Sequence, residues 1–93
     1  MNVGVCRIQM RLPENGTLKG KRQVSRSISG RVRHRFNVSI AEIDQQDLWQ
    51  RSTLGLSAVS NNSTHVQQSL DAVVKMVESN PEVEVLHIDI ELV

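Results

Sequence analysis

Hydrophobic and polar positions alternate along residues 3–12. Gly4, Cys6, Ile8, Met10 and Leu12 share one face, and Val3, Val5, Arg7, Gln9 and Arg11 share the other. A period of two is that of a strand with one buried face. From Thr17 the period lengthens. At 100° per residue Leu18, Val24, Ile28, Val32 and Phe36 fall on one side, which predicts a helix. Pro13, Asn15 and Gly16 precede it as turn residues, with Thr17 as its cap. Residues 36–44 return to strand. Phe36, Val38 and Ile40 have one parity and Ala41 and Ile43 the other, so this strand either bulges or is apolar on both sides. Residues 45–52 form a polar connection. Residues 53–60 read as a third strand, with Leu54, Leu56 and Ala58 on one face and Gly55, Ser57 and Val59 on the other. Asn61, Asn62 and Ser63 are turn and cap residues for a second helix reaching about Ser79. Its apolar stripe is Val66, Leu70, Val73, Val74 and Val77, and Asn80-Pro81 stops it. Residues 82–93 alternate again, with Leu86, Ile88, Ile90 and Leu92 inward and Val83, Val85, His87, Asp89 and Glu91 outward.

The order β-α-β-β-α-β is the α+β, ferredoxin-like pattern, here as a single domain over residues 1–93. It predicts a four-stranded antiparallel sheet with two helices on one face and the spatial order last, first, third, second strand. Arg7 and Arg11 then share the open face with His87, Asp89 and Glu91, and opposite charges across strands contribute about 0.2–1 kcal/mol each. The open face also carries Val3, Val5, Ala41, Ile43, Val59, Val83, Val85 and Val93. An apolar surface of that extent marks a partner. The expectation is a homodimer by sheet-to-sheet contact, with Val5, Ile43, Val59 and Val85 in the dimer face.

Charge changes the picture more than composition does. Residues 17–36 hold Lys19, Lys21, Arg22, Arg26, Arg31, Arg33 and Arg35, seven of the eleven Lys and Arg, and no acid. The formal net charge of +1 therefore hides about +7 in this segment and about −7 between residues 40 and 93. Lys19, Arg22, Arg26 and Arg33 lie together beside the apolar side, with Ser29 in the gap, along about 21 Å of helix. Cations on such a line can meet several phosphates of a nucleic acid. The alternative is a solvated face serving solubility, although such faces normally mix both signs. Lys21 falls in the apolar sector, where its stem packs while its head reaches water. Arg31, Arg33, His34 and Arg35 also suit the helix dipole at its C-terminal end. Gly20 and Gly30 each cost the helix about 1 kcal/mol against Ala.

Several function classes find no support. No apolar run is long enough to span a membrane. The N-terminal residues lack the basic-then-apolar pattern of a signal peptide, and a lone Cys6 makes no internal disulfide, which together point to a reducing cytoplasm. Cys6 reads as a small core residue, without a basic partner to activate it. No cysteine–histidine cluster suggests a metal, and no glycine-rich phosphate loop or nucleophile elbow is present, so no cofactor is expected. Recognition of RNA bases on the sheet needs aromatic platforms, and Phe36 and Trp49 are not placed as such. Asp47, Trp49 and Arg51 form the densest polar cluster outside the basic helix. They read either as an interaction loop or as a network stitching the loop together. An enzyme using Asp44, Asp47 or His87 is the least supported class.

The stretches VGVCRIQMRLP, TLKGKRQVSRSISGRVRHRFNVSIAEID and QDLWQRSTLGLSAVSN resemble the YlxP-like family of small bacterial proteins of unknown function. The resemblance covers nearly the whole chain and is most specific from Asn37 to Arg51. It implies a ferredoxin-like fold, and a gene neighbourhood among translation initiation and ribosome-maturation factors. It supplies no catalytic residue. The family tends to carry Glu where this chain has Gly20, so the capping box with Thr17 is broken here.

Two functional expectations follow. The first is a non-enzymatic, cytoplasmic, ribosome-associated factor binding RNA backbone through Lys19, Arg22, Arg26 and Arg33, assisted by Lys21, Arg31 and Arg35. The second is a homodimeric interaction or regulatory module that ignores nucleic acid and meets a protein or small molecule through the Asp47–Trp49–Arg51 loop.

Overall fold

A computed structural model describes residues 1–12, 17–44 and 50–93, with the backbone alone at Leu18 and Asp44. The element order is β1 (Asn2–Arg11), α1 (Leu18–Arg35), β2 (Ser39–Asp44), β3 (Arg51–Ser60), α2 (Ser63–Glu78) and β4 (Glu84–Leu92). The sheet is four-stranded with the order β2-β3-β1-β4, and all its neighbours are antiparallel. This is the ferredoxin-like α+β arrangement read from the periodicity, with the strand order it implies. The turn residues Pro13, Asn15 and Gly16 lie outside the described residues.

β1 is central because its two faces differ. Cys6, Ile8 and Met10 are buried beneath the helices, while Val5, Arg7, Gln9 and Arg11 are exposed on the opposite face. α2 packs on β1, β3 and β4, and α1 on β2 and β3. The approach of α2 to β1 is close at Gly4. A Cβ there would lie 2.5 Å from Val66 Cγ1 and 2.9 Å from Leu70 Cδ1. The whole predicted stripe of α2 is buried, Val66, Leu70, Val73, Val74 and Val77. Each such side chain contributes about 1.5–3 kcal/mol of apolar burial. Asn62 caps α2, its Oδ1 accepting from the Thr64 and His65 amides at 2.9 and 3.3 Å. At the other end the Asn80 amide closes on the Val77 carbonyl at 3.1 Å, just before Pro81.

α1 is seated differently. Val24, Ile28 and Val32 are buried as expected, but so are Lys21, Ser25 and Ser29. Ser25 and Ser52 share a buried hydroxyl–hydroxyl hydrogen bond of 3.1 Å that ties α1 to β3. Ser29, expected among the exposed cations, belongs to this buried side.

Two bulges shift the sheet's alternation. β2 slips against β3 between Glu42 and Asp44, leaving Ile43 as the extra residue. Glu42, the partner of Leu54, takes the helix-facing parity and is a half-buried acid. The second slip lies between β1 and β4. Gln9 pairs with His87 but Met10 pairs with Val85, so Leu86 is inserted. A one-residue insertion reverses every side chain beyond it. Val85 therefore shares the inward parity of Met10, and it packs with Val83 against the core, while Leu86 is 37% exposed. This corrects the assignment of Val85 to the open face and of Leu86 to the core.

Candidate functional site

Two surfaces stand out, one on each side of the sheet. On α1 the cap is Thr17, whose Oγ1 accepts from the Gly20 amide at 3.0 Å. Half of a capping box thus starts this helix without an acid in its first turn. Lys19, Arg22 and Arg26 project from its exposed side. Among the described residues, none of the three has a carboxylate within 4 Å. They span seven helical steps, about 10.5 Å of helix.

The other cations of α1 are engaged to different degrees. Arg33 Nη2 donates to the Ile40 carbonyl at 2.9 Å, tying the end of α1 to the edge strand β2. Arg31 Nη2 donates to Ser27 Oγ at 2.9 Å along the helix. The Arg35 guanidinium lies 5.6 Å from the centre of the Phe36 ring, at the outer reach of a cation–π contact. Lys21 departs from the reading that its head reaches water. The residue is 3% exposed, and its Nζ lies 3.8 Å from Glu42 Oε1. A cation held inside against a carboxylate is out of reach of phosphate. Lys21 is therefore an internal counter-charge of α1, and Glu42 is its partner, a role the sequence reading did not assign.

The open sheet face changes character along the strands. At one end Val3 pairs with Val59, and the Val93 amide donates to the Val3 carbonyl at 2.8 Å, so three valines lie side by side across β4, β1 and β3. At the other end Arg11 lies between Arg51 of β3 and Glu84 of β4. The Arg11–Glu84 ion pair, 2.6 Å long, relieves the Arg–Arg juxtaposition. Both side chains are about half exposed, so the pair contributes little, about 0–1 kcal/mol. Arg51 thus opens β3 instead of belonging to the connection, while Asp47 and Trp49 of the expected interaction loop lie outside the described residues.

Between these ends is a hollow of about 420 Å³, floored by Ser39, Ala41, Gly55 and Ser57 and walled by Val5, Arg7 and Ile43. Gly55 makes room for Ile43. A Cβ on Gly55 would lie 2.8 Å from Ile43 Cγ2. A glycine inside a strand is the sequence signal for such a close approach. Val5, Ile43 and Val59 are 37%, 50% and 56% exposed on this face, which holds three of the four expected dimer-face residues and excludes Val85. Asp89 pairs with Arg7 and Glu91 with Val5 at the hollow's β4 side.

Of the groups considered for catalysis, only the His87 side chain lies among the described residues. His87 is exposed opposite Gln9. The Asp44 side chain and Asp47 lie outside the description. Burial, followed by the charges of Asp71 and Asp89, pushes the Cys6 thiol up to about 11. That makes it a poor nucleophile at neutral pH. Among the described residues no three His, Cys, Asp or Glu side chains cluster as metal ligands, and no helix is long and apolar enough to cross a membrane.

A family model for proteins of unknown function, DUF503, matches residues 3–90. The chain belongs to the DUF503 family. It is also similar to the uncharacterized protein YlxP of Bacillus subtilis (strain 168), at 39% identity over 82 residues, 88% of this chain and 89% of that protein. The family is of unknown function, so the comparisons bear out the YlxP-like resemblance and assign no chemistry to either surface.

Proposed function

We propose that the protein is a non-enzymatic cytoplasmic factor that binds RNA through the phosphate backbone, with Lys19, Arg22 and Arg26 of α1 as the principal contacts and Arg33, Arg31 and Arg35 at the margin. The observation that carries this reading is the outer surface of α1. Every charged residue from Leu18 to Arg35 is basic, and the three outermost cations have no described acidic neighbour within 4 Å. Such a surface is costly to leave unpaired. Arg22–Arg26 and Arg31–Arg35 are like-charged pairs four residues apart, each destabilising the helix by a few tenths of a kcal/mol. A polyanion reverses that sign. Backbone recognition also suits a fold whose described strands carry no Phe, Tyr or Trp. The translation-gene neighbourhood implied by the YlxP-like resemblance makes ribosomal RNA the first ligand to try.

The test is binding of ribosomal RNA fragments across a salt series, with wild type and the triple variant Lys19→Gln, Arg22→Gln, Arg26→Gln. Counterion release predicts a plot of log affinity against log salt that is shallower in the variant by about 2 to 2.7, at about 0.7–0.9 for each lost phosphate contact. No binding by wild type at low salt would remove the reading.

A further inference from the structure

The open sheet face has the shape of its own mould. β1 raises Val5 and Arg7 above the sheet, and their partners on β3, Ser57 and Gly55, leave the hollow beside them. We propose that a second copy of the chain fills this hollow. In this arrangement each β1 ridge lies over the β3 trough of the other copy, about a two-fold axis that runs along the strands between β1 and β3.

A rotation about that axis keeps each row of side chains opposite its own image. Val5 of one copy then stands over Ser57 of the other, and Arg7 over Gly55 and the Ile43 side chain that lies against it. The valine end meets the valine end, with Val3 over Val59. Only an isologous contact places one patch on both sides in this way. Arg7 enters with its counter-charge beside it, because Asp89 is its cross-strand partner on β4. Twisted sheets stacked face to face are offset by about 30°, so the register is tightest in the middle of the face.

Size sets the strength. Four strands about 4.8 Å apart and about nine residues of about 3.3 Å give roughly 500 Å² per copy. Both copies together bury roughly 1,000 Å², the lower limit for a specific interface, which predicts a dimer that dissociates in the micromolar range. α1 lies on the other side of the sheet, so this contact is independent of nucleic-acid binding.

Sedimentation equilibrium from about 1 µM to about 0.5 mM brackets that range. The wild-type mass should rise from the 10.4 kDa of one chain toward twice that value. Ala41→Glu and Val59→Arg are both at exposed positions, which keeps the fold intact. Each should raise the dissociation constant at least about thirtyfold, Ala41→Glu by facing Asp89 of the other copy and Val59→Arg by placing a charge against Val3. An unchanged unfolding midpoint checks that these variants are folded. Arg26→Gln, on the opposite side, should dimerise like wild type. A wild type that stays at 10.4 kDa throughout overturns the proposal and leaves the hollow to another occupant. Dimers of unchanged strength in both Ala41→Glu and Val59→Arg would place the contact elsewhere and overturn it equally.

Discussion

α2 and α1 cover the same sheet face with opposite kinds of surface. α2 buries Val66, Leu70, Val73, Val74 and Val77 and shows solvent a mixture that includes His65, Asp71, Lys75 and Glu78. α1 buries Val24, Ile28 and Val32 together with Lys21, Ser25 and Ser29, and its charged residues are all cations. Packing and solubility account for α2 completely. α1 differs, because its inner polar groups find partners in the sheet, Ser25 at Ser52 and Lys21 at Glu42, and its outer charges are all of one sign. On the proposed reading, a helix that is electrostatically worse than its neighbour in isolation is relieved by a ligand outside the domain. That contrast is the physical basis for proposing α1 as the ligand surface.

The contrast is open to direct attack. The largest effect belongs to α2. Leu70→Ala removes a side chain with no exposed surface and should lower the unfolding free energy by about 2–5 kcal/mol in urea titrations. A loss below about 1 kcal/mol would mean that α2 is not the packing helix described here. The next effect concerns the inner side of α1. Glu42→Ala strips the interior Lys21 of its carboxylate and should cost about 2–3 kcal/mol. Lys21→Met keeps the apolar packing and leaves Glu42, with 24% of its side chain exposed, to be solvated, so its cost should stay below about 1 kcal/mol. Equal costs would contradict the claim that the buried cation, and not the partly exposed carboxylate, is the group that suffers when its partner is lost. Lys21→Met should also leave any salt dependence of RNA binding untouched, which separates the inner cation from the outer ones. The smallest effect has the opposite sign. A Cβ at Gly30 meets nothing within 4 Å, so Gly30→Ala should stabilise the protein by about 0.5–1 kcal/mol and raise its melting temperature.

Legibility followed the same contrast. The stripe of α2 was readable because a period of 3.6 is enforced over sixteen residues with nothing inside but aliphatic side chains. The alternation of β1 was equally plain. β4 was misread beyond one point, since nothing in a run such as VEVLHI marks Leu86 as an inserted residue, and a bulge reverses the phase without changing the composition. The same blindness hid Glu42, whose inward parity follows from its pairing with Leu54 and whose role follows from Lys21 standing above it. The cations of α1 were legible as a group but not as individuals. Which of them the protein itself engages depends on Ile40, Ser27, Phe36 and Glu42, and only the tertiary arrangement brings the first and last of these near. Gly55 carried a usable signal, a glycine in mid-strand, that points to the hollow it helps to form.

The most direct test of the central claim sets the two helices against each other in one assay. The salt dependence of binding to ribosomal RNA fragments would be measured for the triple α1 variant and for Lys75→Gln, which removes the one cation of α2. The account predicts a slope reduced by about 2 to 2.7 in the α1 variant and unchanged in the α2 variant. Equal slopes in all three proteins, or a loss in Lys75→Gln as large per charge as in α1, would contradict it.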